Sequence, residues 1–178
     1  MTNRKGIIAA GGTGSRLKPL TDVISKQLLP VFDKPLIYYP ISILMLAGIR
    51  EILIITTAKD KDSFKYLLGD GKHLGVNFEY LVQEKSEGIA QAYILGEEFI
   101  DRYPSVLILG DNIIYGPSLK TKLTLAMKNK GSTIFAYRVK DPERYGVVDF
   151  DSRGKVFGIE EKPKIPKSNF CYNWCLFI

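Results

Sequence analysis

Short apolar runs alternate along this chain with segments of helical length. Residues 6–10 (GIIAA) form a brief strand-like run that stops at glycines. Residues 51–57 (EILIITT) are β-branched and continuous, the pattern of a strand buried on both faces. Further strands are predicted over 76–82, over 106–109 where the run ends at Gly110-Asp111-Asn112, and over 132–139. Between them, 36–48, 61–68, 88–100 and 119–129 have helical length. Pro40 falls early in the first of these, where a first-turn position or a kink accommodates it. Beyond 141–144, a turn, residues 147–150 and 155–161 read as paired strands around Asp151-Ser152-Arg153-Gly154.

Strand and helix alternate through residue 129 at the spacing of βαβ units. That predicts an α/β fold of three layers, α/β/α and Rossmann-like, with helices on both faces of a mostly parallel sheet. The later strands follow one another without helices, so an antiparallel addition makes the sheet mixed. No internal repeat or low-complexity segment is visible.

The chain has 178 residues, 46% of them hydrophobic and 25% charged, the profile of a globular domain. No apolar run approaches the roughly 20 residues of a membrane span. The apolar stretch after the basic start is too short for a signal sequence, so a cytoplasmic protein away from membranes is expected. A net charge of +6 suits an anionic partner. Lys and Arg are scattered, without the basic strip of a nucleic-acid binder, so small phosphorylated substrates fit better, although a solvated surface accounts for much of the charge. Cys171 and Cys175 form a C-x3-C pair with the single histidine, His73, far away in a glycine-flanked turn. That is a weak metal signal. Unpaired thiols in a reducing compartment and a surface histidine are the expectation.

The first segment that suggests chemistry is Ala10-Gly11-Gly12-Thr13-Gly14-Ser15-Arg16-Leu17, directly after a strand. Glycines there let backbone N–H groups approach an anion, and the carboxyl ends of parallel strands are where ligands sit. A dinucleotide fingerprint does not fit, because Leu17 stands where glycine or alanine is required. A P-loop does not fit either, since Lys18 precedes Pro19. A tight connecting turn is the plain alternative. Arg16 and Lys26, the latter in Ser25-Lys26-Gln27-Leu28-Leu29-Pro30-Val31, add two cations near the glycines and favour a polyphosphate site.

Residues 10–57 together resemble the opening signature of the sugar-1-phosphate nucleotidyltransferases, in particular the bacterial glucose-1-phosphate thymidylyltransferases. The likeness continues through LLGDG at 67–71, GIAQAYILGEEFI at 88–100, LGDNI at 109–113, DPERYGVV at 141–148 and EEKPKIPKSN at 160–169. The resemblance implies transfer of a thymidylyl group from dTTP to glucose 1-phosphate, with dTDP-glucose and pyrophosphate as products. It implies catalytic roles for Arg16, Lys26 and Asp111, and nucleotide contacts from Gly11, Gly14, Ser15, Arg16, Lys26, Gln27, Gln83 and Gly88. The Gln83 amide would read the pyrimidine edge, needing both a donor and an acceptor. Asp111 would hold Mg²⁺. Asn112, Tyr145, Gly146, Glu161 and Lys162 would form the sugar-phosphate side. Read without the family, Gln83 is a polar strand end, Asp111 a turn residue and 160–162 an exposed charged end.

The likeness fades between Asn169 and Cys171. Residues 1–169 are therefore read as the family core and 170–178 as a divergent tail. A truncated gene product, with a shifted reading frame over its last residues, is the expectation. The family's second metal aspartate and tetramer-forming helices lie beyond residue 178, so the fold would be incomplete at its C-terminus, homotetramer assembly is in question and transferase activity is expected to be weak or absent. Three rivals stay open: a UTP-using pyrophosphorylase of the same fold, a non-catalytic nucleotide-binding remnant and, more distantly, a dinucleotide oxidoreductase.

Overall fold

The computed structural model of the chain describes residues 4–12, 14–85 and 87–178, with the backbone alone for Trp174. The N-terminal strand β1 (Lys5–Ala9) leads through a glycine loop into a short helix α1 (Leu20–Val23) and a two-stranded hairpin, β2 (Pro30–Val31) and β3 (Lys34–Pro35). Helix α2 (Tyr38–Leu46) and strand β4 (Glu51–Thr56) follow, then α3 (Lys61–Leu68) and β5 (Asn77–Val82). Two short helices, α4 (Gln91–Leu95) and α5 (Glu97–Ile100), precede β6 (Ser105–Leu109), α6 (Leu119–Lys128) and β7 (Thr133–Arg138). The chain closes with β8 (Gly146–Phe150), β9 (Val156–Glu161) and β10 (Phe170–Phe177).

Strands β5, β4, β1 and β6 lie side by side in that order, all parallel. Register partners Ile8, Ile54 and Ile108 share one face, and Ile7, Leu53 and Leu107 share the other. The first set packs with Ile41 and Leu44 of α2, Phe64 of α3 and Leu123 of α6. The second packs with Ala92 of α4 and with Phe99 and Ile100 of α5. Alternating apolar positions that are both buried require a helix layer on each side, which gives the three-layer α/β/α order. The antiparallel addition begins at β10, which pairs with β6, β7 and β8, while β8 pairs with β9. Residues 170–177, set apart by sequence, are thus a strand between β6 and β7, with Cys171, Cys175 and Phe177 fully buried.

Two elements differ from the sequence pattern. The helix expected over 88–100 starts at Gln91 and breaks at Gly96. Gly88 has a φ of 98°, outside helical space. Gly96 lies so near the sheet that a Cβ there would stand 2.9 Å from Ile7 Cδ1 and 3.3 Å from Leu53 Cδ2. The β2–β3 hairpin had no periodic signal, being two residues per strand. Pro40 occupies the first turn of α2, where its missing N–H costs no intrahelical bond. Among the described residues no helix is long and apolar enough to cross a membrane.

Candidate active site

The glycine loop leaves β1 at the carboxyl edge of the parallel strands. Ala10 N–H donates to Ile55 O at 2.7 Å and Gly110 N–H to Ala9 O at 2.9 Å, so the exits of β1, β4 and β6 are tied together. Gly12 and Gly14 take φ values of 142° and 57°, open to glycine at no steric cost. A Cβ on Gly14 would stand 2.8 Å from Thr21 Cγ2, and Thr21 Oγ1 donates to Gly14 O at 2.9 Å. The chain then closes a 3₁₀ turn over Ser15–Leu17, with Leu17 N–H on Gly14 O at 2.8 Å. Thr13, inside the loop, lies outside the described residues.

The loop borders a cavity of about 250 Å³ lined by Gly11, Gly14, Ser15, Arg16, Lys26, Gln27 and Asp111, among others. Arg16 is exposed at its rim. Lys26 Nζ and Asp111 Oδ2 form an ion pair at 2.6 Å, with about a third of each side chain exposed (35% and 28%). A pair this open contributes little to stability. Its consequence is positional: it brings a cation from the segment after the loop onto the carboxylate that follows β6. Gln27 is buried, accepts from Ser25 Oγ at 2.7 Å, and packs its Cγ where a Cβ on Gly110 would be 2.9 Å away. It is a floor beneath the Asp111 turn as well as part of the cavity lining.

A second cavity, about 520 Å³, adjoins across the loop and shares Gly12 and Lys26 with the first. Gln83 lines it, and a Cβ on Gly11 would lie 2.7 Å from Gln83 Oε1. Gln83 Nε2 donates to Gln91 Oε1, which also accepts Glu87 N–H at 3.1 Å, and Gln91 Nε2 donates to Glu87 Oε2 at 2.9 Å. Gln91 therefore fixes the Gln83 amide, a role the sequence did not signal. Gly88 is exposed and lines neither cavity.

Tyr145, Gly146, Glu161 and Lys162 come together at the end of the β8–β9 pair. Gly146 and Glu161 are register partners, and Lys162 N–H donates to Tyr145 O at 3.0 Å. Asn112 is placed elsewhere, with Asp111 and Asn173 in a third cavity of about 500 Å³. Asn112 Nδ2 and Asn173 Oδ1 are buried and have no hydrogen-bond partner among the described residues. Asn173 was not singled out by sequence. It is the neighbour of Tyr172, whose hydroxyl donates to Glu161 Oε2 at 3.3 Å, so one stretch of β10 touches both groups.

Asp111 is the acidic residue on the first cavity, and among the described residues no three His, Cys, Asp or Glu side chains gather into a metal cluster. A single carboxylate suits an ion that keeps waters and phosphate oxygens as its other ligands. Cys171 and Cys175 are free and buried, and burial pushes the Cys175 thiol up to about 12. His73 sits in the 3₁₀ turn Lys72–Leu74, away from the cavities described.

Most of the chain is matched by a known family. Residues 5–174 fit the model of the nucleotidyl transferase family. The chain belongs to that family. It is 55% identical over 178 residues to a Xanthomonas campestris pv. campestris glucose-1-phosphate thymidylyltransferase, covering 99% of this chain and 60% of the relative. A Neisseria gonorrhoeae protein of the same name is 56% identical over 174 residues, 97% of this chain and 60% of its own. The chain thus spans about three fifths (60%) of the length of these curated relatives. Among solved structures, a Bacillus anthracis protein described as a glucose-1-phosphate thymidylyltransferase superposes with a TM-score of 0.89 at 42% identity, over 98% of this chain and 70% of that one. A UDP-glucose pyrophosphorylase complexed with UDP-glucose gives 0.84 at 25% identity, over 100% and 76%. The mixed sheet flanked by helices is accordingly the nucleotidyltransferase fold, as the resemblance in sequence implied.

Proposed function

We propose that this chain binds dTTP in the glycine-loop cavity and that, in a protein of its relatives' length, this site transfers the thymidylyl group to glucose 1-phosphate, in the cytoplasm, where two unpaired buried thiols are at home. The chain by itself should transfer weakly or not at all. The observation that carries the reading is the convergence of the glycine loop, Arg16, Lys26 and Asp111 on one cavity at the carboxyl ends of β1 and β6. The names of relatives 55% and 56% identical to it support thymidylyl transfer over the UTP-using alternative.

Transfer needs no covalent enzyme intermediate. A phosphate oxygen of glucose 1-phosphate attacks the α-phosphorus of dTTP in line, the bond to the β-phosphate breaks, and pyrophosphate leaves. The protein supplies position and charge neutralisation. Backbone N–H groups of the loop hold the phosphates. Arg16, at the rim, stabilises charge on the transferring and leaving groups, and Lys26, in the lining of the same cavity, does so beside it. Asp111 would hold Mg²⁺, which when bound supplies Lewis-acid neutralisation of phosphate oxygens. Gln83, fixed by Gln91, faces the base from the adjoining cavity. Tyr145, Gly146, Glu161 and Lys162 take the sugar phosphate.

Calorimetry with dTTP and Mg²⁺, followed by a pyrophosphate-release assay with glucose 1-phosphate, tests the proposal, with UTP as the competing nucleotide. The chain should prefer dTTP. In an active protein of the relatives' length, Arg16→Ala should slow release by about 10²–10³-fold, equivalent to about 3–4 kcal/mol of barrier. Absence of dTTP binding, or an Arg16→Ala variant with unchanged binding and turnover, would overturn it.

A further inference from the structure

We infer that Tyr172 is a gate on the sugar side of the site, covering Gly146 and bonded to one oxygen of Glu161 until a hexose 1-phosphate displaces its ring. The inference rests on the proposed assignment of Gly146 and Glu161 to the sugar phosphate. Gly146 and Glu161 face each other across β8 and β9, and Cys171 of β10 pairs with Val147, which puts the next side chain beside Gly146. The Tyr172 ring lies where a side chain on Gly146 would begin. A Cβ there would stand 2.3 Å from Tyr172 Cε1, 2.6 Å from Cζ and 2.8 Å from the hydroxyl oxygen. The absence of a side chain at 146 is therefore used up by this ring. The hydroxyl continues across to Glu161 and donates to Oε2 at 3.3 Å, while Lys162 Nζ stands 3.8 Å from Oε1. Tyr172 is only 7% exposed. Glu161 keeps about half of its side chain exposed (54%), so the phenol denies a sugar chiefly the Gly146 face. A pyranose ring laid on the Gly146 peptide must take the place the phenol ring holds, and with it the Tyr172 contact on Oε2 is given up.

The contact is built to be exchangeable. Its hydrogen bond is long for an O–H donor to a carboxylate, which prefers about 2.5–2.7 Å. The β10–β7 register shifts between Tyr172 and Leu176, so the ladder is interrupted just after the tyrosine. Burial and the Glu161 charge push the phenol pKa up to about 12, so the group keeps its proton and remains a hydrogen-bond donor. Asn173, the next residue, lines the cavity of Asp111 and Asn112. The gate separates two states of the same pocket: phenol on Glu161, or sugar on Glu161.

Titration of the full chain with glucose 1-phosphate tests this, with dTTP binding measured in parallel as a check on folding. Tyr172→Ala should bind glucose 1-phosphate at least tenfold more tightly than the parent, with dTTP affinity unchanged. Tyr172→Phe should stay within threefold of the parent, because the ring still covers Gly146. Tyr172→Val, a β-branched residue suited to a strand, provides the same opening if the alanine variant does not fold. The gain should vanish when Glu161→Gln is added. If the opened variants bind like the parent while Glu161→Gln weakens the parent, the gate is wrong and the sugar-side assignment stands. If Glu161→Gln changes binding in neither background, the assignment fails and takes the gate with it. A gain that survives Glu161→Gln would also overturn the gate, since the new affinity would then come from the truncation itself.

Discussion

Gly14→Ala should damage this molecule through two separable effects, and Thr21→Ser separates them. Gly14 has a φ of 57°, where an L side chain costs about 1–2 kcal/mol. The added Cβ would also stand 2.8 Å from Thr21 Cγ2 and 3.1 Å from Thr21 Cβ. Forcing a methyl into a packed site costs a further about 1–3 kcal/mol. The single variant should thus lose about 2–5 kcal/mol. Thr21→Ser deletes the offending methyl but keeps the hydroxyl that donates to Gly14 O at 2.9 Å. Alone it should cost about 0.8 kcal/mol, one buried methyl. In the double variant the backbone term remains and most of the steric term goes, so the pair should couple favourably by at least about 1 kcal/mol. Urea unfolding of the four proteins measures this directly. A Gly14→Ala cost below about 1 kcal/mol, or additivity within about 0.5 kcal/mol, would refute the steric account of the loop. The same four proteins titrated with dTTP test whether the loop's shape and its ligand are linked.

Two further outcomes follow from contacts outside the loop. Gln91→Ala removes the side chain to which Gln83 Nε2 donates and which also accepts Glu87 N–H. It should weaken dTTP binding by about fivefold, one hydrogen bond's worth, and leave pyrophosphate binding unchanged; equal losses for both ligands in calorimetry would remove Gln83 from base recognition. Burial raises Cys175 from 9.0 to about 12, and burial followed by Glu161 raises Tyr172 from 10.0 to about 12. The folded state keeps these protons longer than the unfolded chain, so stability is fully present below about pH 9 and falls as pH rises toward 12, by about 1.4 kcal/mol per pH unit for each titrating group. Urea midpoints should decline between pH 9 and 11, and Cys175→Val should delay the onset; a flat profile in the parent would count against it.

The parallel half of the fold was legible because its signal is redundant. EILIITT can be buried on both faces only with helices on both sides, and the segments that follow each strand have helical length. Ile8 and Ile7 then go to opposite layers by the alternation of any strand. Details that depend on close approach were not legible. Gly96 breaks a helix because Ile7 and Leu53 lie beneath it, and nothing in GIAQAYILGEEFI states which strands those are. Phe170–Phe177 is rich in aromatic residues that suit a strand, but its partners β6, β7 and β8 lie far back along the chain, so the pairing that buries it is not legible in the segment itself.

The site divides along the same line. Arg16, Lys26 and Asp111 were recognised by residue type and motif, and the topology brings them to one cavity because β1 and β6 are parallel neighbours whose carboxyl ends exit together. Gln91, Tyr172 and Asn173 carry no motif. Their importance is relational: Gln91 by what it does to Gln83, Tyr172 by covering a glycine on one strand and bonding a carboxylate on another, Asn173 by sharing a cavity with Asp111. A motif names the groups that meet the substrate, but the residues that orient or obstruct those groups are defined only by contact. For this chain that distinction has chemical content, because the same Glu161 that the motif offers to a sugar is already an acceptor for a phenol from β10.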